Sequence, residues 1–281
     1  MTQTKLKSHA KLNLALNITG KRSSLHKIES LVAFASLHDE IFISKIKSKS
    51  HNILFFGKFS KNIGKNNTVS KLIKILEKKK ILQNKKFKIK INKKIPSKAG
   101  LGGGSMNAAS ILSYFVKKKI IKINKQEIIN ISNLVGSDVI LGLNYKNCVL
   151  NDENEIKFFT NCKKFYILIV KPNFGCSTKE MYSKVKKFNK PRFKYPNKKM
   201  FNTEYLKKMD NSLEHIALYK YAKLRAIKSF LENLPKSEFV RMTGSGSALV
   251  AYFQLKDRCE YAKKKFNEKY KNYWCIASKT I

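Results

Sequence analysis

Four glycines, Gly100, Gly102, Gly103 and Gly104, stand just ahead of a stretch with helical spacing. Glycine lets a phosphate group come close to the backbone. A helix start adds unpaired N–H groups and the positive end of a dipole. The segment IPSKAGLGGGSMNAAS therefore reads as a phosphate-binding loop. It feeds a helix that Ser105 or Asn107 can cap and that buries Ala108, Ala109, Ile111, Leu112, Phe115 and Val116. Two other phosphate loops fail on spacing. No Gly-Lys-Ser/Thr ends the run as a Walker A loop requires, and a G-x-G-x-x-G count from Gly100 ends on Ser105.

Other residues could join that chemistry. Lys11 and Asn13 share one face of an alternating segment, Lys11 to Thr19, whose other face is Leu12, Leu14, Leu16 and Ile18. A lysine on a strand is ordinarily solvated, so alternation alone gives Lys11 no role. Asp138, in Gly136-Ser137-Asp138, stands between apolar stretches. It either caps a following helix or is a carboxylate that needs a partner. Gly244-Ser245-Gly246-Ser247 makes a second tight turn. His26 falls in a polar segment, GKRSSLHK, that reads as a loop.

The elements that must hold these residues alternate without a regular strand–helix beat, so the expected class is α+β. After the first strand, an apolar stretch from Ile28 to Leu37 is followed by a turn at His38-Asp39 and a strand IFISKIK. Residues 48–67 read as polar loop. Thr68 is the expected cap of a helix with Val69, Leu72, Ile73 and Leu76 on its apolar face. Strands are expected at 87–91 and 165–170, and helices at 125–135, 203–218, 219–232 and 256–270. The segment 183–199 reads as a surface loop, and a short strand closes the chain near 273–277. A domain boundary is expected in the polar stretch NDENE before the FYILIV strand, giving domains 1–158 and 159–281.

Composition narrows the field. The chain has 281 residues, 59 of them Lys or Arg and 18 Asp or Glu, for a net charge of +41. Its 43% hydrophobic content excludes a disordered basic tail. The charge suits a polyanionic partner such as RNA. Yet 54 of the cations are lysine, whereas base and phosphate recognition favours arginine. Lys, Asn and Ile are abundant together and share AT-rich codons, so solvated lysine faces explain most of the charge. Nucleic acid and membrane are therefore not expected partners. No apolar run approaches the roughly 18 residues of a membrane span. Lys11, Asn13 and Asn17 interrupt what a signal peptide would need to be continuous. Five scattered cysteines without C-x-x-C spacing fit reduced thiols in the cytoplasm.

Taken in order, AKLNLALNITGKR, IPSKAGLGGGSMNAAS, GSDV and MTGSGSALVAYF resemble the GHMP kinase superfamily along essentially the whole chain. Within it, the set is similar to a branch that acts on a small cytidine diphosphate substrate in isoprenoid precursor synthesis. The resemblance implies an N-terminal domain like domain 2 of ribosomal protein S5 and a ferredoxin-like C-terminal domain. It implies ATP and Mg²⁺ as cofactors, with the metal's ligands not legible. Pro96, Ser97, Lys98, Ala99, Gly100, Leu101, Gly102, Gly103, Gly104, Ser105 and Met106 would wrap the ATP phosphates. Asp138 would take the proton of the substrate hydroxyl. Lys11 would keep Asp138 ionised and stabilise the transferring phosphoryl group. Asn13 would line the substrate site, His26 would hydrogen-bond cytosine, Thr178 would touch substrate and Tyr182 would stack on the base. Another small-molecule kinase of the superfamily, on a mevalonate or homoserine substrate, is the alternative, with a basic RNA-binding protein behind it. The chain departs from the pattern at five places. Leu25 stands where the branch has a stacking Tyr, Ser24 and Ala99 replace glycines, Met106 replaces Ser or Asp, and Ser212 replaces an Asp in NSLE.

Overall fold

The computed structural model describes every residue except Met1, Thr2, Ser24 and Asn62, and the side chain of Arg22 also lies outside what it describes. The departure at Ser24 therefore falls outside the described residues. The chain divides into two compact units that are interleaved along it. One holds residues 1–10, 37–97 and 102–145, the other residues 11–36, 98–101 and 146–281. Two long strands, β1 (Thr4–Arg22) and β2 (Leu25–Ile46), contribute to both.

In the first unit, β3 (Asn52–Phe56), α1 (Thr68–Lys78), β4 (Lys86–Asn92), α2 (Gly103–Lys117) and α3 (Lys125–Val135) follow one another. Strand β4 pairs antiparallel with the end of β2, Glu40 opposite Asn92 through Ile46 opposite Lys86. It pairs parallel with β3, and α1 provides the crossover that a parallel pair needs. Phe87, Ile89 and Ile91 alternate inward while Lys86, Lys88 and Lys90 face the wetter side. The inward set meets Leu72 and Leu76 of α1, Ile111, Leu112 and Phe115 of α2, and Ile131 of α3.

The second unit adds β5 (Asn147–Leu150), β6 (Ile156–Phe159), β7 (Tyr166–Lys171), α4 (Thr178–Ser183), α5 (Thr203–Lys207), α6 (Glu214–Lys220), α7 (Ala222–Glu232), β8 (Phe239–Met242), β9 (Leu249–Phe253), α8 (Lys256–Lys269) and β10 (Trp274–Lys279). Strand β5 pairs with β2, Ser30 opposite Leu150. Strands β5 and β6 form a hairpin whose turn is NDENE, pinned by Asn151 Oδ1, which accepts from the Glu153 and Glu155 N–H groups. The last four strands form an antiparallel sheet in the order β10-β7-β9-β8. Numbered within this sheet the order is 4-1-3-2, and the succession is strand, helices, strand, strand, helix, strand. That is the ferredoxin-like arrangement. Leu168, Val170, Leu249 and Phe253 pack against Ile227 and Leu231 of α7 and Ala262 and Phe266 of α8.

Several expected boundaries move. No turn interrupts β2 at His38-Asp39, because Asp39 satisfies its carboxylate through remote partners and leaves the backbone extended. Residues of the presumed 20–27 loop extend β1 to Arg22 and start β2 at Leu25, which puts His26 on a strand. Strand β3 emerges from the presumed polar loop, since an edge strand of five residues shows only Ile53 and Phe55 as its inward signal. Asn67, not Thr68, caps α1: its Oδ1 accepts from Val69 and Ser70 N–H at 3.0 Å each. The helix expected over 203–218 breaks into α5 and α6, because Leu16 N donates to Asp210 O and Ser212 N to Leu16 O. Helix α2 begins at Gly103, ahead of the expected Ser105 or Asn107 cap. Its N-cap is Gly102 in the left-handed region at φ 66°, with no side-chain cap.

Candidate active site

Within the second unit, the first half of the glycine loop is tied down carbonyl by carbonyl. Lys98 O accepts from Ser247 N at 3.3 Å, Ala99 O from Ala248 N at 3.2 Å, and Leu101 O from Lys11 N at 2.9 Å. Gly100 O accepts from Thr243 Oγ1 at 3.3 Å. The AKLNL strand, the glycine loop and the 243–248 turn, three separate motifs in the sequence, thus meet through main-chain bonds. The meeting is tight: Gly100 has φ +73°, and a Cβ there would lie 1.9 Å from Thr243 O. The loop's shape is therefore set before any ligand arrives.

Lys11 and Asn13 are both buried on β1, at 4% and 3% exposure. Asn13 N donates to Thr243 Oγ1 at 3.0 Å, and its Nδ2 donates to Ser30 Oγ at 2.7 Å. The Ser30 hydroxyl in turn donates to Ala15 O at 2.6 Å. With the amide held this way, the Asn13 Oδ1 acceptor is buried and finds no hydrogen-bond donor among the described residues. Buried polar atoms are nearly always bonded, so this oxygen is a natural seat for a ligand hydroxyl or N–H.

A ring cluster forms the far part of the same unit. His26 of β2 and Tyr182 of α4 have ring centroids 5.1 Å apart, tilted by 42°. Burial, and then the nearby Lys21 charge, push the His26 imidazole below its ordinary value. Both effects favour the neutral imidazole, which has one N–H donor and one acceptor nitrogen. Thr178 is exposed at the start of α4 and shares a 2.8 Å hydrogen bond with Ser245 of the glycine turn.

In the first unit the loop turns into α2. The first-turn N–H groups have no acceptor in a preceding helical turn, and no side chain caps them. Gly103 and Gly104 permit close packing: a Cβ at Gly103 would sit 3.3 Å from Lys93 Nζ, and one at Gly104 3.0 Å from Thr68 Oγ1. Pro96 is buried and Ser97 exposed at the loop's entry. Met106 ends the loop inside the core, its N–H bonded to Gly102 O and its sulfur against Gly142. Asp138 is half-buried, just ahead of a 3-10 turn, Ile140–Leu143.

An ion pair that sequence reasoning missed braces this entry. Asp39 is fully buried and accepts from Lys94 N at 2.7 Å and Ile95 N at 2.8 Å. Its other oxygen pairs with Lys93, a second buried lysine. Glu29 plays a similar part in the other unit, fully buried and accepting from Arg192 N and Phe193 N. The available signal was scarcity. In a chain with 18 acidic residues against 59 basic ones, each carboxylate on an apolar strand deserves a structural reason.

Residues 67–145 match the family model for the GHMP kinases N terminal domain. A crystal structure of 4-(cytidine 5'-diphospho)-2C-methyl-D-erythritol kinase superposes with a TM-score of 0.80 at 22% identity, covering 99% of each chain. A homoserine kinase from Cytophaga hutchinsonii follows at 0.73 and 15%, over 100% of this chain and 95% of that one. Fold and motif together define the class as the α+β GHMP kinases, small-molecule kinases that depend on ATP. The chain is 57% identical to 4-diphosphocytidyl-2-C-methyl-D-erythritol kinase of Pelagibacter ubique over the full length of both. It is 34% identical to the enzyme of that name from Fervidobacterium nodosum over 92% of each chain. The chain belongs to the 4-diphosphocytidyl-2-C-methyl-D-erythritol kinase family.

Proposed function

We propose that this protein transfers the γ-phosphoryl group of ATP to the 2-hydroxyl of 4-diphosphocytidyl-2-C-methyl-D-erythritol, a step in non-mevalonate isoprenoid precursor synthesis. The observation that carries the reading is the preset glycine loop, its carbonyls bonded to β1 and to the 243–248 turn beside buried Lys11 and Asn13. Phosphoryl transfer asks a protein for positioning and charge stabilisation more than for covalent chemistry. The backbone from Pro96 to Met106 cradles the phosphates with the start of α2. Asp138 takes the proton of the 2-hydroxyl as that oxygen bonds to the γ-phosphorus and ADP leaves. The Lys11 ammonium offsets charge on the transferring group. Asn13 Oδ1 accepts from the substrate's polyol. Thr178 contacts the substrate, while His26 and Tyr182 receive the base. Residues 1–158 and 159–281 would be the family's N- and C-terminal domains.

Mg²⁺ fits this arrangement as a passenger of the nucleotide. Among the described residues no group of three or more His, Cys, Asp or Glu forms a ready cage. Phosphate oxygens and water ordinarily supply most Mg²⁺ ligands in kinase sites. Bound there, the ion would neutralise charge on the phosphates, and the Ser105 hydroxyl at the head of α2 is a side chain that could join it.

The test is a coupled ADP-release assay with Mg-ATP and the cytidyl substrate. Wild-type protein should turn over, and Asp138→Ala should lower kcat by about 10²–10⁴-fold, the usual worth of a positioned base. Homoserine and mevalonate in parallel reactions should give no ADP. Turnover with either of them, and none with the cytidyl compound, overturns the proposal.

A further inference from the structure

We infer that Phe188 supplies the second aromatic face of the base-binding site, replacing the ring that Leu25 lacks. The inference rests on the cytidyl reading above and names a residue that selects the substrate. Leu25 heads β2 with 75% of its surface exposed, and it offers no π-face where the motif pattern has a Tyr. Two rings lie near its neighbour His26. The Tyr182 centroid is 5.1 Å from the imidazole with a 42° tilt, and that of Phe188 is 6.2 Å away with a 57° tilt.

Phe188 is 47% exposed. A lone exposed phenylalanine needs no explanation. This one is held in place by bonds that begin at the next residue. Asn189 N donates to Ile18 O at 2.8 Å, and Asn189 Nδ2 donates to Asn17 Oδ1 at 2.8 Å and to Ser212 Oγ at 3.1 Å. Asn17 Nδ2 donates in turn to Lys190 O at 3.1 Å and to Glu29 Oε2 at 2.9 Å. Buried Glu29 then accepts from Arg192 N and Phe193 N. On the other side, Val185 N donates to Tyr182 O at 3.2 Å, continuing from α4. Residues 189–193 are thus clamped to β1 and β2, residues 184 and 185 are tied back to α4, and Phe188 stands just ahead of the clamp with its ring near His26. Ser212, the departure in NSLE, is one of its parts. Aromatic rings that offer a π-face, next to an imidazole that can hydrogen-bond, are what a flat base with polar edges requires.

The experiment uses the full chain and the variants Phe188→Ala, Phe188→Trp and Tyr195→Ala, the last an exposed aromatic on the same segment. KM is measured separately for the cytidyl substrate and for ATP, and CMP affinity by calorimetry. Phe188→Ala should raise the substrate KM and the CMP Kd by about tenfold, within the range for loss of one stacking contact, with KM for ATP within about twofold of wild type. Phe188→Trp should restore both, and Tyr195→Ala should behave as wild type. A Phe188→Ala protein with wild-type substrate KM and CMP affinity overturns the assignment alone, and so does an equal rise in both KM values. A wild-type chain that binds no CMP overturns the cytidyl reading and the assignment with it.

Discussion

Gly100 carries the sharpest steric constraint of the glycine loop. Its φ of +73° is disfavoured for any L side chain, and an added Cβ would strike Thr243 O at 1.9 Å. Neither backbone can yield, because Thr243 N is bonded to Ala248 O and Leu101 O to Lys11 N. Gly100→Ala should therefore cost about 2–4 kcal/mol and lower the melting temperature by many degrees. Gly64→Ala is the control, because a Cβ there meets nothing within 4 Å. Equal melting temperatures for the two variants would contradict the argument. That glycine was needed near residue 100 was legible from composition and spacing. Its partner was not, since Thr243 lies far along the chain and a G-x-G turn alone carries little meaning. Lys11 and Asn13 were legible as sharing a face, and the structure adds that both are buried and that Asn13 leaves one oxygen unspent. Asp39, Lys93 and Glu29 left only the faint signal of scarce carboxylates, because what each binds, a backbone for Asp39 and Glu29 and the Asp39 carboxylate for Lys93, lies elsewhere in the chain.

Among the elements, β2 departs most from local expectation. His38-Asp39 looks like a turn in sequence, yet Asp39 and its neighbour Glu40 lie within the strand because each carboxylate is satisfied by residues outside it. Glu40 binds Lys5 of β1 at 2.6 Å, Lys94 at 2.9 Å, and Asn92 of β4 at 3.1 Å. Hydrogen bonds from Lys5 first and then Lys94 hold its carboxyl down, from an ordinary 4.5 to about 2. The sign follows from linkage: a depressed carboxylate adds stability above its unfolded value and loses it as pH falls through the folded one. Glu40→Gln should accordingly cost about 1 kcal/mol at pH 7, discounted because Lys5 and Lys94 are about half exposed. The gap between variant and wild type should hold down to about pH 5 and close between pH 4.5 and about 2. Thermal melts across that window check it. A gap that closes instead above pH 5 would mean that Glu40 is not the titrating partner. The helices were easier to read, since α3 and the apolar faces of α1 and α2 follow from periodicity alone, without reference to distant residues.

At the scale of the molecule, the charge of +41 has to be reconciled with a small-molecule site. Among the described lysines only Lys11 and Lys93 are buried, Lys93 in an ion pair with Asp39. The remainder are exposed or half-exposed, including the outward faces of β4 and α8. No described helix is long and apolar enough to cross a membrane. A surface of this kind gives a diffuse positive field, able to hasten the encounter with anions such as ATP and a cytidyl diphosphate without defining either site. Screening acts over about 10 Å at 0.1 M salt, so it weakens steering while leaving bonds inside a glycine cradle nearly untouched. Hence kcat/KM for the cytidyl substrate should fall by less than about tenfold between roughly 50 and 200 mM KCl, with kcat nearly constant. A chain evolved to hold a phosphate polymer through six to ten lysines would lose about 10³–10⁵ in affinity over the same range. A slope of that size, with kinase activity inhibited by added RNA at low salt, would show that the lysine surface has a polyanionic partner after all. A shallow slope leaves it as a solvated coat around a site built from a handful of buried groups.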